Sequence, residues 1–278
     1  MLGLGFVSLA IGIFISMRIF NIPDITTDGS YTLGAAVTSV MLINGYPISV
    51  TLLCSVMAGI IAGFATGFIH TRLKVNSLLA GILVMTALYS VNLILMGRSN
   101  IPFIAVKTIF DSLPFIPNKN NAQLIILIAN TFLIGVCVIW LLKTDFGLAM
   151  RATGNSESMI RAQGVNSERM KIIGLGISNG LVSFSGCLIA QYQGFADINM
   201  GIGIVILGLG SVMIGETLMN YLKLYRIHYR ILGVIIGTIF FRLILAFTLS
   251  IGVNPNLLKL VTAVFVLLVV ALPNLKKT

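Results

Sequence analysis

The sequence predicts an all-α protein: a polytopic membrane helix bundle of about nine transmembrane helices with interrupted segments. Three observations predict it. Hydrophobic residues make up 57% of the 278 and charged residues only 9%. Mean hydropathy is +1.03. The apolar residues fall mostly into runs long enough to cross a hydrocarbon core of ~30 Å. A soluble domain needs a charged shell that this chain does not carry. A β-barrel would alternate apolar and polar residues over much shorter segments.

The candidate spans are 2–17, 31–43, 48–69, 78–96, 123–142, 172–190, 201–214, 231–250 and 257–272. The first run lacks a basic start and a small-residue cleavage site, so it reads as a retained helix rather than a signal peptide. Residues 31–43 and 201–214 would each cover only about 20 Å at 1.5 Å per residue. Each follows a polar, helix-breaking stretch, 21–30 in one case and 191–199 in the other. Two readings stand for these stretches: ordinary surface loops, or irregular backbone at membrane depth, tolerated only where protein or a wet cavity surrounds it. On the second reading a matched pair of interruptions points to a substrate path. For 18–30 in particular, the break either reaches the membrane surface or stays inside it.

Lys and Arg fix the orientation, because cytoplasmic loops keep an excess of both. With 143–171 inside, the inner loops carry Arg18, Arg72, Lys74, Lys143, Arg151, Arg161, Arg169, Lys171, Lys223, Arg226, Arg230, Lys276 and Lys277. The outer loops carry only Arg98, Lys107 and Lys119. The net charge of +10 is thus spread over loops and not gathered on one face, which argues against nucleic acid as a partner. Cys54, Cys137 and Cys187 lie singly in apolar runs, and His70 and His228 are isolated, so neither a disulfide framework nor a metal site is expected.

The segment 143–171 divides into two short helical pieces broken at Gly154 and Gly164, with Asn155 or Ser156 as cap of the second and Glu157 complementing its dipole. Its length and order favour a docking element over a plain solvated loop. Arg242, in mid-span, either lines a cavity and attracts a carboxylate, pairs with Glu216 or Asp197, or snorkels outward. Glu216, at a span end, reads as exposed. Gln191, Tyr192, Gln193 and Phe195 form either a docking patch or an interfacial belt. Gly59, Gly63 and Gly67, four apart on one face, predict close helix contact.

The run 147–166, GLAMRATGNSESMIRAQGVN, resembles the coupling-loop signature of ABC importer permeases of the branched-chain amino-acid and ribose type. FNIPDITTDGSYTLGAAV, HTRLKVNSLLAGILVMTALYSVNLILMGR and LIAQYQGFADINMGIGIVILGLGSVMIGE follow the same resemblance in order. They are most similar to a subgroup of uncharacterised ABC permeases, some linked to aromatic amino-acid uptake. The resemblance implies one permease domain over 1–278 in a bacterial plasma membrane, paired with a second copy or a paralogue. It further implies two ABC ATPase subunits and an extracytoplasmic solute-binding protein. Arg151, Asn155, Glu157, Arg161, Ala162, Gly164 and Asn166 would form the surface that fits the ATPase. No Gly-x-x-x-x-Gly-Lys-Ser/Thr occurs, so ATP and Mg are expected on the partner and no cofactor or catalytic residue on this chain. Asp28, Ser30, Gln191, Gln193, Asp197 and Arg242 are the candidates for the translocation path. The alternative is an ion-coupled secondary transporter, for which the spans offer few ionisable groups. An intramembrane enzyme would need a nucleophile with a base, or a His-Glu-x-x-His cluster, and has neither.

Overall fold

Long apolar runs become helices because lipid offers no partner for a free backbone N–H or C=O. The computed structural model describes residues 1–104, 106–112, 118–254 and 257–275. In chain order, α1 (Leu2–Gly5) and α2 (Val7–Phe14) continue through a π-helical turn, Ile15–Ile19, as one span. Then come α3 (Thr26–Ile43), α4 (Ile48–Thr71), α5 (Ser77–Met96), strand β1 (Asn100–Pro102), a 3₁₀ turn (Ile109–Asp111) and α6 (Lys119–Lys143). The second half runs α7 (Asp145–Asn155), α8 (Glu157–Ala162), α9 (Ser167–Gln193), strand β2 (Phe195–Asp197), α10 (Ile204–Tyr221), α11 (Ile227–Ser250) and α12 (Leu258–Leu275). Among the described residues seven helices are long and apolar enough to span: the first, α4, α5, α6, α9, α10 and α11. The expected nine is approximate, since α3 is more polar and the apolar stretch of α12 is shorter. Lys276 and Lys277 lie outside the described residues.

The core is built around α9. Its small residues let neighbouring backbones approach closely, which replaces the hydrophobic drive that lipid does not supply. The predicted stripe on α4 meets it: a Cβ on Gly59 would strike Asn179 and Ser183, one on Gly63 would strike Leu175, and one on Gly67 Ile172. On the other side Gly34 of α3 lies against Ser183, and Gly186 lies against Tyr31. The α4 pairs run antiparallel to α9, whereas Ser30 against Asn179 and Gly34 against Ser183 set α3 parallel to it.

The two short spans are longer than predicted. Helix α3 begins at Thr26, not 31, because the polar residues that read as a break satisfy themselves inside the fold. Thr26 Oγ1 and Thr66 Oγ1 share a hydrogen bond of 2.7 Å, and Thr27 Oγ1 donates to the Asp24 carbonyl. Helix α10 begins at Ile204 and continues past 214 to Tyr221. There Thr217 donates back to Met213, and Glu216 pairs with Arg18 at 2.5 Å, its side chain only 12% exposed. The exposed reading of Glu216 is therefore corrected: the end of the first span covers it.

Depth follows from register against α9. Asp24 is bonded to Asn179, which lies twelve residues, about 18 Å, from the α9 start at Ser167. The first span ends at Ile19 beside Gly154 of α7, at the α9 start. Residues 20–25 therefore turn back into the bundle and bring Asp24 to mid-depth. Gly201 and Gly203, which precede α10, pack against Asp28 of α3. Residues 20–25 and 201–203 thus lie inside the bundle, surrounded by protein, as the second reading has it for the first break, whereas most of 191–199 runs out to the sheet end.

At the end opposite α7 and α8, β1 and β2 pair antiparallel in the register Asn100↔Asp197, Ile101↔Ala196, Pro102↔Phe195. This small sheet ties the loop after α5 to the loop after α9.

Candidate functional site

The loop 143–171 is ordered by caps and by one acidic hub. Thr144 Oγ1 accepts from the Gly147 N–H at 3.3 Å and caps α7, Ser156 Oγ accepts from Met159 and caps α8, and Asn166 Oδ1 accepts from Arg169 and caps α9. The break between the two pieces falls at Ser156, two residues past the predicted Gly154, because Ser156 is extended and supplies the cap. Glu157 Oε1 accepts from Arg161 at 2.6 Å and from Ser167 at 3.0 Å, while Oε2 meets Lys171 Nζ at 2.5 Å. The Lys171 hydrogen bond above all, with Ser167 and Arg161, holds the Glu157 carboxyl down at about 2, against the opposing effect of its partial burial.

Gly154 seats this loop on the bundle. A Cβ there would collide with the Ile19 carbonyl oxygen, and the Asn21 side-chain amide donates to the Gly154 carbonyl at 3.1 Å. Gly164 plays a different part: its φ is +82°, and a Cβ would meet nothing. The face left open carries Asn155, Ser158, Met159, Ala162, Gln163, Gly164 and Asn166, all exposed, with Arg161 beside them. Arg151 is half-buried, and its Nε has no hydrogen-bond partner among the described residues.

The six candidates for the path fall in three places. Asp28 and Ser30 lie in the first turns of α3, just past the interruption. The Asp28 carboxylate accepts from the N–H of Gly203 at 2.8 Å and of Val205 at 3.0 Å, closing the N-terminus of α10 where its dipole is positive. Ser30 Oγ donates to Asn179 Oδ1 at 2.7 Å and is fully buried. Gln191, Gln193 and Asp197 sit at the sheet end. Gln191 is buried and accepts from the Ile109 N–H at 2.9 Å, Gln193 is exposed, and Asp197 accepts from Asn100 and from the Asn199 N–H. Arg242 stands apart, its guanidinium 3.8 Å from the centroid of the Phe6 ring. Of the three readings of Arg242, the pairing with Glu216 or Asp197 is not made, since both acids are engaged elsewhere.

Sequence reasoning passed over Asp24 and Asn179. Asp24 is fully buried, its Oδ1 accepting from the Thr26 N–H at 2.9 Å and its Oδ2 from Asn179 Nδ2 at 2.7 Å. Together with Ser30, Thr26 and Thr66 these residues make a closed polar knot at mid-depth. A signal was present: an acid inside a membrane-depth break, and a lone Asn in an apolar span, are both expensive to bury. Among the described residues no group of three metal-ligating side chains occurs. His70 Nδ1 bonds the Val75 carbonyl, and His228 packs on Tyr229.

Residues 3–271 match the family described as "Branched-chain amino acid transport system / permease component". The chain is 38% identical over 267 residues to the tyrosine transport system permease protein of Clostridioides difficile, covering 96% of this chain and 87% of that one. It is 36% identical over 270 residues to an uncharacterised protein of Rickettsia prowazekii, covering 97% and 93%. With the autoinducer 2 import system permease protein of Salmonella typhimurium it shares 26% identity over 212 residues, 74% of this chain and 58% of that one. No solved structure matches the chain.

Proposed function

The chain belongs to the permease component family of branched-chain amino acid transport systems, and from that premise we propose that it is the membrane subunit of an ATP-binding-cassette importer for an amino acid. The tyrosine transport relative favours an aromatic one. The observation that carries this reading is the α7–α8 loop. It is ordered by the Glu157 hub, is seated on the first span through Gly154, and leaves Met159, Ala162 and Gly164 open at the end where Lys and Arg concentrate. That excess of basic residues supports a cytoplasmic position for the loop end, and the bacterial relatives favour a bacterial cell.

In this reading 1–278 is one permease domain, and 143–171 is the element gripped by a separate ATPase that holds ATP and Mg. A second permease copy or paralogue and an external solute-binding protein complete the importer. Movement of the loop passes through the Gly154–Ile19 contact to residues 20–25 and on to the Asp24–Asn179 knot. Rocking of the bundle about that mid-depth region alternates access. Asp28 and Ser30 lie where such a path narrows; Gln191, Gln193 and Asp197 lie at its outer mouth.

Co-expression with candidate ATPases, copurification and ATP-driven uptake in proteoliposomes test the proposal. Gly164→Trp should abolish uptake while the permease remains folded in the membrane. Undiminished uptake by that variant would refute the docking assignment. The buried Asp24 is what a gradient-driven carrier would require, so uptake that survives ATP depletion but collapses with a protonophore would favour that alternative.

A further inference from the structure

A guanidinium inside a bilayer needs a partner for its charge, and Arg242 of α11 is paired with no acid among the described residues. Its Nε is buried without a hydrogen-bond partner. The nearest compensation is aromatic: the guanidinium carbon lies 3.8 Å from the Phe6 ring centroid, and Phe6 stacks on Tyr31 at 6.0 Å with 14° between the planes. A ring face offsets only part of what it costs to take the ion out of water. The acids that could close the difference are engaged elsewhere, Glu216 by Arg18, Asp197 by Asn100 and Asp28 by the start of α10.

Arg242 lines a cavity of about 460 Å³ between α1, α11 and the beginning of α12. Its other walls include Tyr192, Ile239, Leu243, Leu249 and Leu258. One end thus offers a planar cation with an unpaired Nε, the flanks along α11 and α12 are aliphatic, and Met1 and Tyr192, whose hydroxyl donates to the Met1 sulfur, close the rim. A carboxylate or phosphate matches the guanidinium fork, and an apolar body matches the flanks.

We propose that this cavity binds an amphipathic oxyanion, its charged head on Arg242 and its apolar body along Leu243, Leu249 and Leu258. The ligand has two sources of the same chemistry: an anionic phospholipid from the surrounding bilayer, or a carboxylate solute in transit. Only the second rests on the permease reading.

Thermal unfolding of the full-length, delipidated protein in a nonionic detergent tests the site by titration with four probes. Dioleoylphosphatidylglycerol and 3-(4-hydroxyphenyl)propionate carry the anion; dioleoylphosphatidylcholine and tyramine are their matched controls without net negative charge. An anionic probe should raise the midpoint in a saturable way, and its control should not. Arg242→Gln should abolish the shift, and Arg242→Lys, which keeps the charge but loses the fork, should weaken apparent affinity at least tenfold. Leu249→Trp, which fills the cavity and leaves Arg242 in place, should remove the shift as well and serves where Arg242→Gln does not fold. Stabilisation by phosphatidylglycerol alone assigns the lipid source, and stabilisation by the aryl propionate assigns the solute. No stabilisation by either anion, equal stabilisation by the controls, or shifts unchanged in Arg242→Lys and Leu249→Trp would overturn the proposal. Because the assay reads binding without transport, failed ATP-driven uptake with an intact Arg242-dependent shift would count against the permease reading alone.

Discussion

Asn21 and Gly154 join the membrane break to the exposed loop: the Asn21 side-chain amide donates to the Gly154 carbonyl at 3.1 Å. Asn21 itself has a φ of +54°, a left-handed conformation that Asn tolerates better than most residues because its short polar side chain bonds locally. One residue thus both turns the chain back into the bundle and holds α7 against it.

The contact behind that bond sets the first expectation. Gly154→Ala should lower the thermal midpoint, because the added methyl meets the Ile19 carbonyl and α7 must lift away. Gly164→Asn should leave the midpoint nearly unchanged, since the site is open and Asn accepts the left-handed backbone. Scanning fluorimetry of both variants checks this, and equal midpoints would show that Gly154 does not seat the loop.

Asp28 caps α10 from another helix. Replacing it with Ala should cost about 1–2 kcal/mol through loss of a cap and of charge at the dipole's positive end. Asn, which keeps an acceptor, should cost less. Unfolding in detergent should rank wild type above Asn above Ala; an unchanged Ala variant would remove the capping role.

The Asp24 knot makes a larger expectation. Asp24→Leu strands the Asn179 amide and the Thr26 N–H, each a buried donor worth about 1–3 kcal/mol when left unpaired. Asp24→Asn keeps the shape and one acceptor, so it should retain most of the stability. If Asn and Leu are equally tolerated in expression and unfolding assays, the break is not pinned by this side chain.

Acid should loosen α8. The folded Glu157 carboxyl sits at about 2 against an ordinary 4.5, a depressed value, so its stabilisation is fully present above about 4.5 and is lost as pH falls towards 2. Being about a third open to water, these ion pairs are screened and contribute of the order of 1 kcal/mol. Amide exchange of 157–171, corrected for intrinsic rates, should be faster at pH 3 than at pH 6 in the wild type, and Glu157→Gln should abolish most of that difference.

Much of this protein is written in its hydropathy, because a bilayer leaves the backbone few options. The spans 48–69, 78–96, 123–142, 172–190 and 231–250, the Gly59–Gly63–Gly67 contact face and the basic loop end all follow from composition and spacing. The caps Ser156 and Asn166 follow from local preference, which acts within one turn. Hydropathy failed where polar side chains bond to one another: Thr26, Thr27 and Glu216 read as loop and proved to be helix, since a satisfied polar group no longer needs water.

What the sequence determined by itself was a basic-ended helical bundle with two interruptions and an ordered loop. Only the tertiary structure decided that the first interruption and residues 201–203 lie inside the bundle, that Asp24 and not Asp28 meets Asn179, and that Arg242 faces Phe6 instead of an acid. Those are choices among partners tens to hundreds of residues apart. Periodicity encodes which face of a helix is buried, and packing alone encodes what it is buried against.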